Sequence, residues 1–194
     1  MKIIITATFI LCFLFSTGIS FAQLKLKPAI GINFTDFSED PESGETSAKV
    51  GWQIGGTVLM GDKFYGEGGI FWTYKSTEYN SSDDQITFNT EISGIRIPAM
   101  IGYYLLKEEA TLIGLRAFGG ASVLIVTTVD AFELTKDDFN DASWGVFLGA
   151  GLDISMFFVD LKYEWSLTDV SSVASFDVGK SRSIFIDAGV KFGL

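Results

Sequence analysis

The sequence predicts an all-β protein, an eight-stranded antiparallel up-and-down transmembrane β-barrel preceded by a cleaved signal peptide. Three observations predict it. Between residues 157 and 194, apolar side chains recur at every second position, which is the period of a strand whose two faces meet different surroundings. Eight segments of this kind succeed one another along the chain. The connections between them alternate between short and long, as in barrels that cross an outer membrane.

The leader comes first. Lys2 is followed by an apolar run over residues 3–15 and then by Ser16, Thr17 and Gly18, with Ser20 and Ala22 at the small-residue positions before a cut. This is the pattern of a secretory signal peptide. The run is shorter than the roughly 20 residues of a spanning helix. Cleavage is expected between Ala22 and Gln23, dividing the chain into a signal peptide (1–22) and a barrel domain (23–194). Cys12, the one cysteine, lies in the leader and lacks the small residues that precede a lipid-modified cysteine. The mature chain is therefore expected to carry no thiol, disulfide or lipid anchor.

The first segment, 24–34, sets Leu24, Leu26, Ile30, Ile32 and Phe34 against Lys25, Lys27, Gly31 and Asn33. The second, 49–60, sets Val50, Trp52, Ile54, Val58 and Met60 against Lys49, Gly51, Gln53, Gly55 and Thr57, and Gly61-Asp62-Lys63 then turns the chain. In the third, 64–75, Phe64, Ile70, Trp72 and Tyr74 oppose Tyr65, Glu67, Phe71, Thr73 and Lys75. The fourth, 86–106, changes parity between Ile92 and Ile95, so a β-bulge is expected near Ser93-Gly94. Pro98 marks an irregularity there, because it has no N–H for the ladder. The fifth carries Ile113, Leu115, Ala117, Val123 and Ile125 outward, with Arg116, Gly120 and Ser122 inward. The sixth, 143–156, alternates Trp144, Val146, Leu148, Leu152 and Ile154 with Gly145, Phe147, Gly149, Gly151, Asp153 and Ser155. The seventh alternates Phe157, Val159, Leu161, Tyr163, Trp165 and Leu167 with Asp160, Lys162 and Glu164; the eighth alternates Ile184, Ile186, Ala188, Val190, Phe192 and Leu194 with Asp187, Gly189 and Lys191.

With both termini periplasmic, the long loops 35–48, 76–85, 130–142 and 169–181 face outward. Two are acidic, through Asp36, Glu39, Asp40, Glu42 and Glu45 and through Asp130, Glu133, Asp137, Asp138 and Asp141. Their oxygens would suit calcium, but the spacing is not that of an EF-hand loop, and a solvated charge run is the expected reading. No metal site and no cofactor is expected.

The remaining charges are nearly balanced and point inward: Lys25, Lys27, Lys49, Lys75, Arg96, Arg116, Lys162 and Lys191 with Glu67, Glu91, Asp153, Asp160, Glu164 and Asp187. Charges inside a barrel must pair or meet water. An eight-stranded barrel is about filled by its own side chains, so an ionic plug is expected. The polar network of the lumen is assigned to Glu67, Arg96, Arg116, Asp153, Asp160, Lys162, Glu164, Asp187 and Lys191. A soluble lipocalin-like barrel is the structural rival, with its apolar face turned inward around a ligand. Loop alternation and the aromatic residues on the apolar face, among them Trp52, Trp72, Trp144 and Trp165, favour the bilayer.

Several motifs together resemble a known family. Residues 95–104 (IRIPAMIGYY), 119–122 (GGAS), 145–153, Asp160-Leu161-Lys162-Tyr163, Leu167-Thr168-Asp169 and Gly189-Val190-Lys191-Phe192 are similar to the PorT-like outer-membrane β-barrel domain of Bacteroidetes. The likeness covers nearly the whole mature chain. It departs at Lys162, where relatives carry arginine, and at the terminus, where Gly193-Leu194 follows the last aromatic residue. The resemblance implies an outer-membrane location, insertion by the outer-membrane assembly machinery, contact with outer-membrane lipid, and envelope partners, with a link to protein secretion for the founding member. It transfers no catalytic residue.

Absence of histidine removes the residue most used for acid–base chemistry near neutral pH. No catalytic residues and no nucleic-acid partner are assigned. The expected function is a non-enzymatic envelope barrel with a structural, interaction or accessory role. The alternatives are a small channel or solute-binding barrel, or the lipocalin-like ligand binder. An enzyme would need a Ser-Lys or carboxylate site.

Overall fold

The computed structural model describes residues 24–37, 44–48, 50–81, 87–107, 112–130, 142–168 and 181–193, and every regular element among them is a strand. These are β1 (Leu24–Phe37), β2 (Gly44–Ala48), β3 (Val50–Gly61), β4 (Phe64–Ser81), β5 (Thr87–Leu106), β6 (Ile113–Asp130), β7 (Ala142–Ile154), β8 (Phe157–Ser166), β9 (Ser181–Val190) and β10 (Phe192–Gly193). β2 and β3 make one stave and β9 and β10 another, so the ten elements form eight staves.

Each stave pairs antiparallel with the next, and the ring closes where β1 meets β9 and β10, for example at Ala29 opposite Gly189 and Leu26 opposite Phe192. Closure removes the unpaired edges that an open sheet would present. The expected signal peptide, the cut between Ala22 and Gln23, Lys49, Leu194 and the acidic residues Glu39, Asp40, Glu42, Glu133, Asp137, Asp138 and Asp141 lie outside the described residues.

Alternation sorts the side chains as a lipid-facing barrel requires. Ile30, Phe64 and Ile101 are 64%, 69% and 67% exposed on the outer wall, whereas Lys27, Arg96 and Arg116 are 0% exposed inside. A lipocalin-like barrel would have the reverse arrangement. Aromatic pairs stand at both rims of the wall. Trp52 stacks on Tyr74 at 6.1 Å and Tyr163 meets Trp165 at 4.6 Å toward the long-loop end, and Phe64 meets Tyr103 at 5.6 Å beside the short turn. Such rings sit well at the boundary between headgroups and hydrocarbon.

Four details differ from the sequence reading. The first concerns strand length: β4 runs to Ser81, β2 pairs with it from Gly44 opposite Ser81, and β6 runs to Asp130. Much of the expected loops 35–48 and 76–85 is therefore strand. Backbone pairing needs no apolar side chains once a hairpin rises above the hydrocarbon, so the dyad pattern fades before the ladder ends.

The second concerns the bulge. The register does shift between Ser93 and Gly94, as expected, but Ser93 pairs with Thr128 and Gly94 with Val126, so the extra residue is Thr127 on β6, while the β4–β5 ladder is unbroken there. β5 keeps one parity from Glu91 to Tyr104, and Glu91 stands on the opposite parity to Arg96, half-buried rather than inward as expected. The third is a second shift at the other end of β5, where Leu105 is skipped between Tyr104 and Leu106.

The fourth is the β7–β8 turn. β7 ends at Ile154 and the chain reverses through Ser155-Met156, with Ser155 at φ 55°. Two-residue hairpins demand a positive φ, and serine in place of the usual glycine or asparagine conceals the turn in the sequence. Gly61, at φ 122°, provides that freedom before the Asp62-Lys63 turn, which Lys107 clasps through an ion pair to Asp62.

The charged lumen as candidate functional site

Every inward side chain of a narrow barrel must fit beside those from the opposite wall. Here they form interleaved polar and aromatic clusters. Toward the short-turn end the centre is Arg116 on β6. Its Nε donates to Asp153 Oδ1 at 3.0 Å, its Nη2 to Asp160 Oδ1 at 2.7 Å, and its Nη1 to the Tyr65 hydroxyl at 3.2 Å, with Glu67 Oε2 at 3.6 Å. Lys27 Nζ, from β1, donates to Glu67 at 2.8 and 3.1 Å and to Asp160 Oδ2 at 3.1 Å.

The remaining lone pairs are also used. Thr57 donates to Glu67 at 2.5 Å, Tyr104 to Asp153 at 3.1 Å, and Lys191 to Asp153 at 2.8 Å. Three cations thus face three carboxylates in a fully bonded group, the condition under which buried charges are tolerated.

Toward the long-loop end, Lys162 Nζ donates to Asp187 Oδ2 at 2.7 Å, and Gln53 Nε2 donates to Asp187 Oδ1 at 2.5 Å. Thr73 donates to Gln53 at 3.2 Å. Arg96 Nη2 bonds to Glu164 Oε2, which also accepts from Ser122 at 2.7 Å. The rest of the Arg96 guanidinium lies against aromatic faces, 4.4 Å from the Phe185 centroid and 5.5 Å from that of Phe147, and its Nε and Nη1 have no hydrogen-bond partner. Ring faces partly replace those bonds by cation–π attraction.

The nine residues assigned to the network all face the lumen in these two groups: Glu67, Arg116, Asp153, Asp160 and Lys191 in one, Arg96, Lys162, Glu164 and Asp187 in the other. Lys27, inward by parity but not counted with them, bridges two of the carboxylates. Lys25 sets its Nζ 5.9 Å from the centroid of the Tyr104 ring. The sequence reading of an ionic plug also left out the aromatic share. Leu59, Tyr65, Met100, Tyr104, Phe118 and Phe147 form one buried cluster, and Ala29, Phe71 and Phe158 another. Their signal was their inward parity, overlooked because apolar residues on a polar face read as noise in a dyad.

Small residues make room for the charges. A side chain at Gly151 would run into Asp160 Oδ1 and lie 2.8 Å from Arg116 Nη2.

Ser183 Oγ lies 3.2 Å from Lys75 Nζ, the pairing that a Ser-Lys nucleophile would use, but Ser183 is 2% exposed and Thr35 Oγ1 occupies its other side at 2.9 Å. An attacking oxygen needs an open approach for an acyl group, and Ser183 is buried. Among the described residues no group of three or more histidine, cysteine, aspartate or glutamate side chains could hold a metal ion.

A closed ring of eight staves, an apolar outer wall rimmed by aromatic residues and an ion-paired interior define a transmembrane β-barrel. Residues 21–172 match the family described as "Outer membrane protein beta-barrel domain", and the chain belongs to that family and resides in the outer membrane. Its fold is similar to that of the outer membrane protein OprG from Pseudomonas aeruginosa, at 12% identity and a TM-score of 0.55, over 89% of this chain and 97% of that one. It is likewise similar to Neisserial surface protein A, at 14% identity and a TM-score of 0.52, over 88% of this chain and 97% of that one. No curated protein matches the chain in sequence.

Proposed function

We propose that this chain is a non-enzymatic, non-conducting outer-membrane barrel of the PorT-like kind from a Bacteroidetes envelope. In this reading it serves as a structural or accessory component whose partners engage its extracellular end. The observation that carries the reading is the filled lumen. Lys27, Arg96 and Arg116 are wholly shielded from solvent and paired with carboxylates from staves that are not their ladder neighbours, so ions crossing the barrel would have to break those pairs.

The PorT-like assignment is supported by the ordered motifs from Ile95 to Phe192. An accessory place beside the protein-export machinery is the partner class this resemblance favours, and it enters by analogy of fold. Outer-membrane lipid and the assembly machinery complete the set of partners. Lack of histidine, together with the crowded Ser183–Lys75 contact, supports the non-enzymatic reading.

The test is conductance of the refolded mature chain in a planar lipid bilayer. Silence across the voltage range at high salt is expected. Reproducible unitary steps, abolished in a variant such as Gly151→Leu that crowds the lumen further, would make the small channel the correct reading.

A further inference from the structure

Among the described residues the outer wall has a hollow, a groove of about 690 Å³ across β4 to β8. Its floor is Gly119, flanked across the ladders by Ile101 on β5 and Leu148 on β7. Phe64 and Tyr103 wall its periplasmic end, and Trp165 its far end. Ile101 and Leu148 are 67% and 61% exposed, so the groove opens toward hydrocarbon and continues the lipid-facing wall. At the periplasmic end Lys63 extends over the Tyr103 ring, 5.4 Å from its centroid. Apolar length ending in a cation at headgroup height matches the chemistry of one phospholipid.

We propose that the groove seats an acyl chain of an inner-leaflet glycerophospholipid whose phosphate rests on Lys63. Short turns lie on the periplasmic side, so the cation meets the inner leaflet. A second copy of the chain fits less well. A two-fold contact would set groove against groove, two concave surfaces with nothing to fill either.

The experiment is native mass spectrometry of the mature barrel in detergent, titrated with palmitoyl-oleoyl phosphatidylglycerol. One lipid retained per barrel is expected. Gly119→Leu fills the floor, displacing only the flexible end of Leu148, whose Cδ2 would lie 2.8 Å from an added Cβ. It should lose retention at least tenfold while keeping the heat-modifiable gel mobility of a folded barrel. Lys63→Gln, on the exposed turn, should weaken retention about fivefold, the worth of one lysine beside an anionic headgroup. Leu161→Ala, on the lipid-facing wall outside the groove, should change nothing. Equal retention by wild type and Gly119→Leu would overturn the proposal, as would no retention by wild type, unchanged retention by Lys63→Gln, or a dimer formed in place of the lipid complex.

Discussion

Arg116 Nη2 and Asp160 Oδ1 meet at 2.7 Å inside the barrel, and they come from β6 and β8, two staves that do not pair with each other. The bond therefore spans β7, whose Gly151 stands opposite both residues in its two ladders, Arg116 on one side and Asp160 on the other. A glycine between two long charged side chains is what allows them to touch.

Replacing Arg116 with methionine should be the most damaging change in the lumen. It would leave Asp153 and Asp160 without their shared cation, and removing one partner of a buried pair costs about 3–5 kcal/mol. Urea unfolding of the refolded barrel, followed by tryptophan emission, should show a large drop in midpoint. A midpoint close to wild type would mean that water reaches the carboxylates and that the plug is porous.

Lys162→Met should also destabilise, but less. Asp187 would still accept the 2.5 Å bond from Gln53. The expected loss is about 2–3 kcal/mol, because Lys162 pairs with one carboxylate where Arg116 pairs with three. The same unfolding assay ranks the two variants, and a larger loss for Lys162→Met would contradict the central role of Arg116.

Gly151→Ala should cost about 1–3 kcal/mol by overpacking. The added methyl has no free direction between Asp160 and Arg116. By contrast Gly66→Ala, on the outer wall with nothing within 4 Å of an added Cβ, should be nearly neutral. The comparison separates crowding from any general cost of losing a strand glycine.

Ile30→Arg tests the orientation of the wall. Ile30 is 64% exposed and lies in the middle of β1, opposite Ile54 and Ala188. An arginine at mid-depth on the lipid face costs about 2–4 kcal/mol, less near the interfaces. Folding into phosphatidylcholine vesicles should weaken by that amount. An effect near zero would place Ile30 in water.

Much of this was legible in the sequence because a barrel wall reads two different solvents in strict turn. Wherever both were present, as from Val50 to Val58 or Val159 to Trp165, residue type alone separated outside from inside. Legibility failed where one solvent was missing. In β2 and the upper part of β4 the ladder continues through residues with no apolar dyad, so strand was read as loop. At Ser93–Gly94 the apparent parity change suggested a bulge in β5, whereas the extra residue is Thr127 on β6, because register is a property of two strands and sequence displays one at a time. The partner of each inward charge was not readable either. Lys27 and Asp160 share a wall only after closure, and no local pattern pairs them.

That closure has a kinetic consequence. The bonds crossing the seam join the beginning of the chain to its end: Lys27 to Asp160, Gln53 to Asp187 and Thr35 to Ser183 are separated by 133, 134 and 148 residues. Until β8 arrives, Arg96 on β5 would lack Glu164, its carboxylate partner, on a face that has no wall opposite it. Such a charge is tolerable in water and costly in hydrocarbon. Contacts of this sequence range form late and slowly. Stepwise burial of single hairpins is therefore disfavoured, and insertion into the bilayer must run together with ring closure, each charge crossing the membrane boundary only in the company of its counterion.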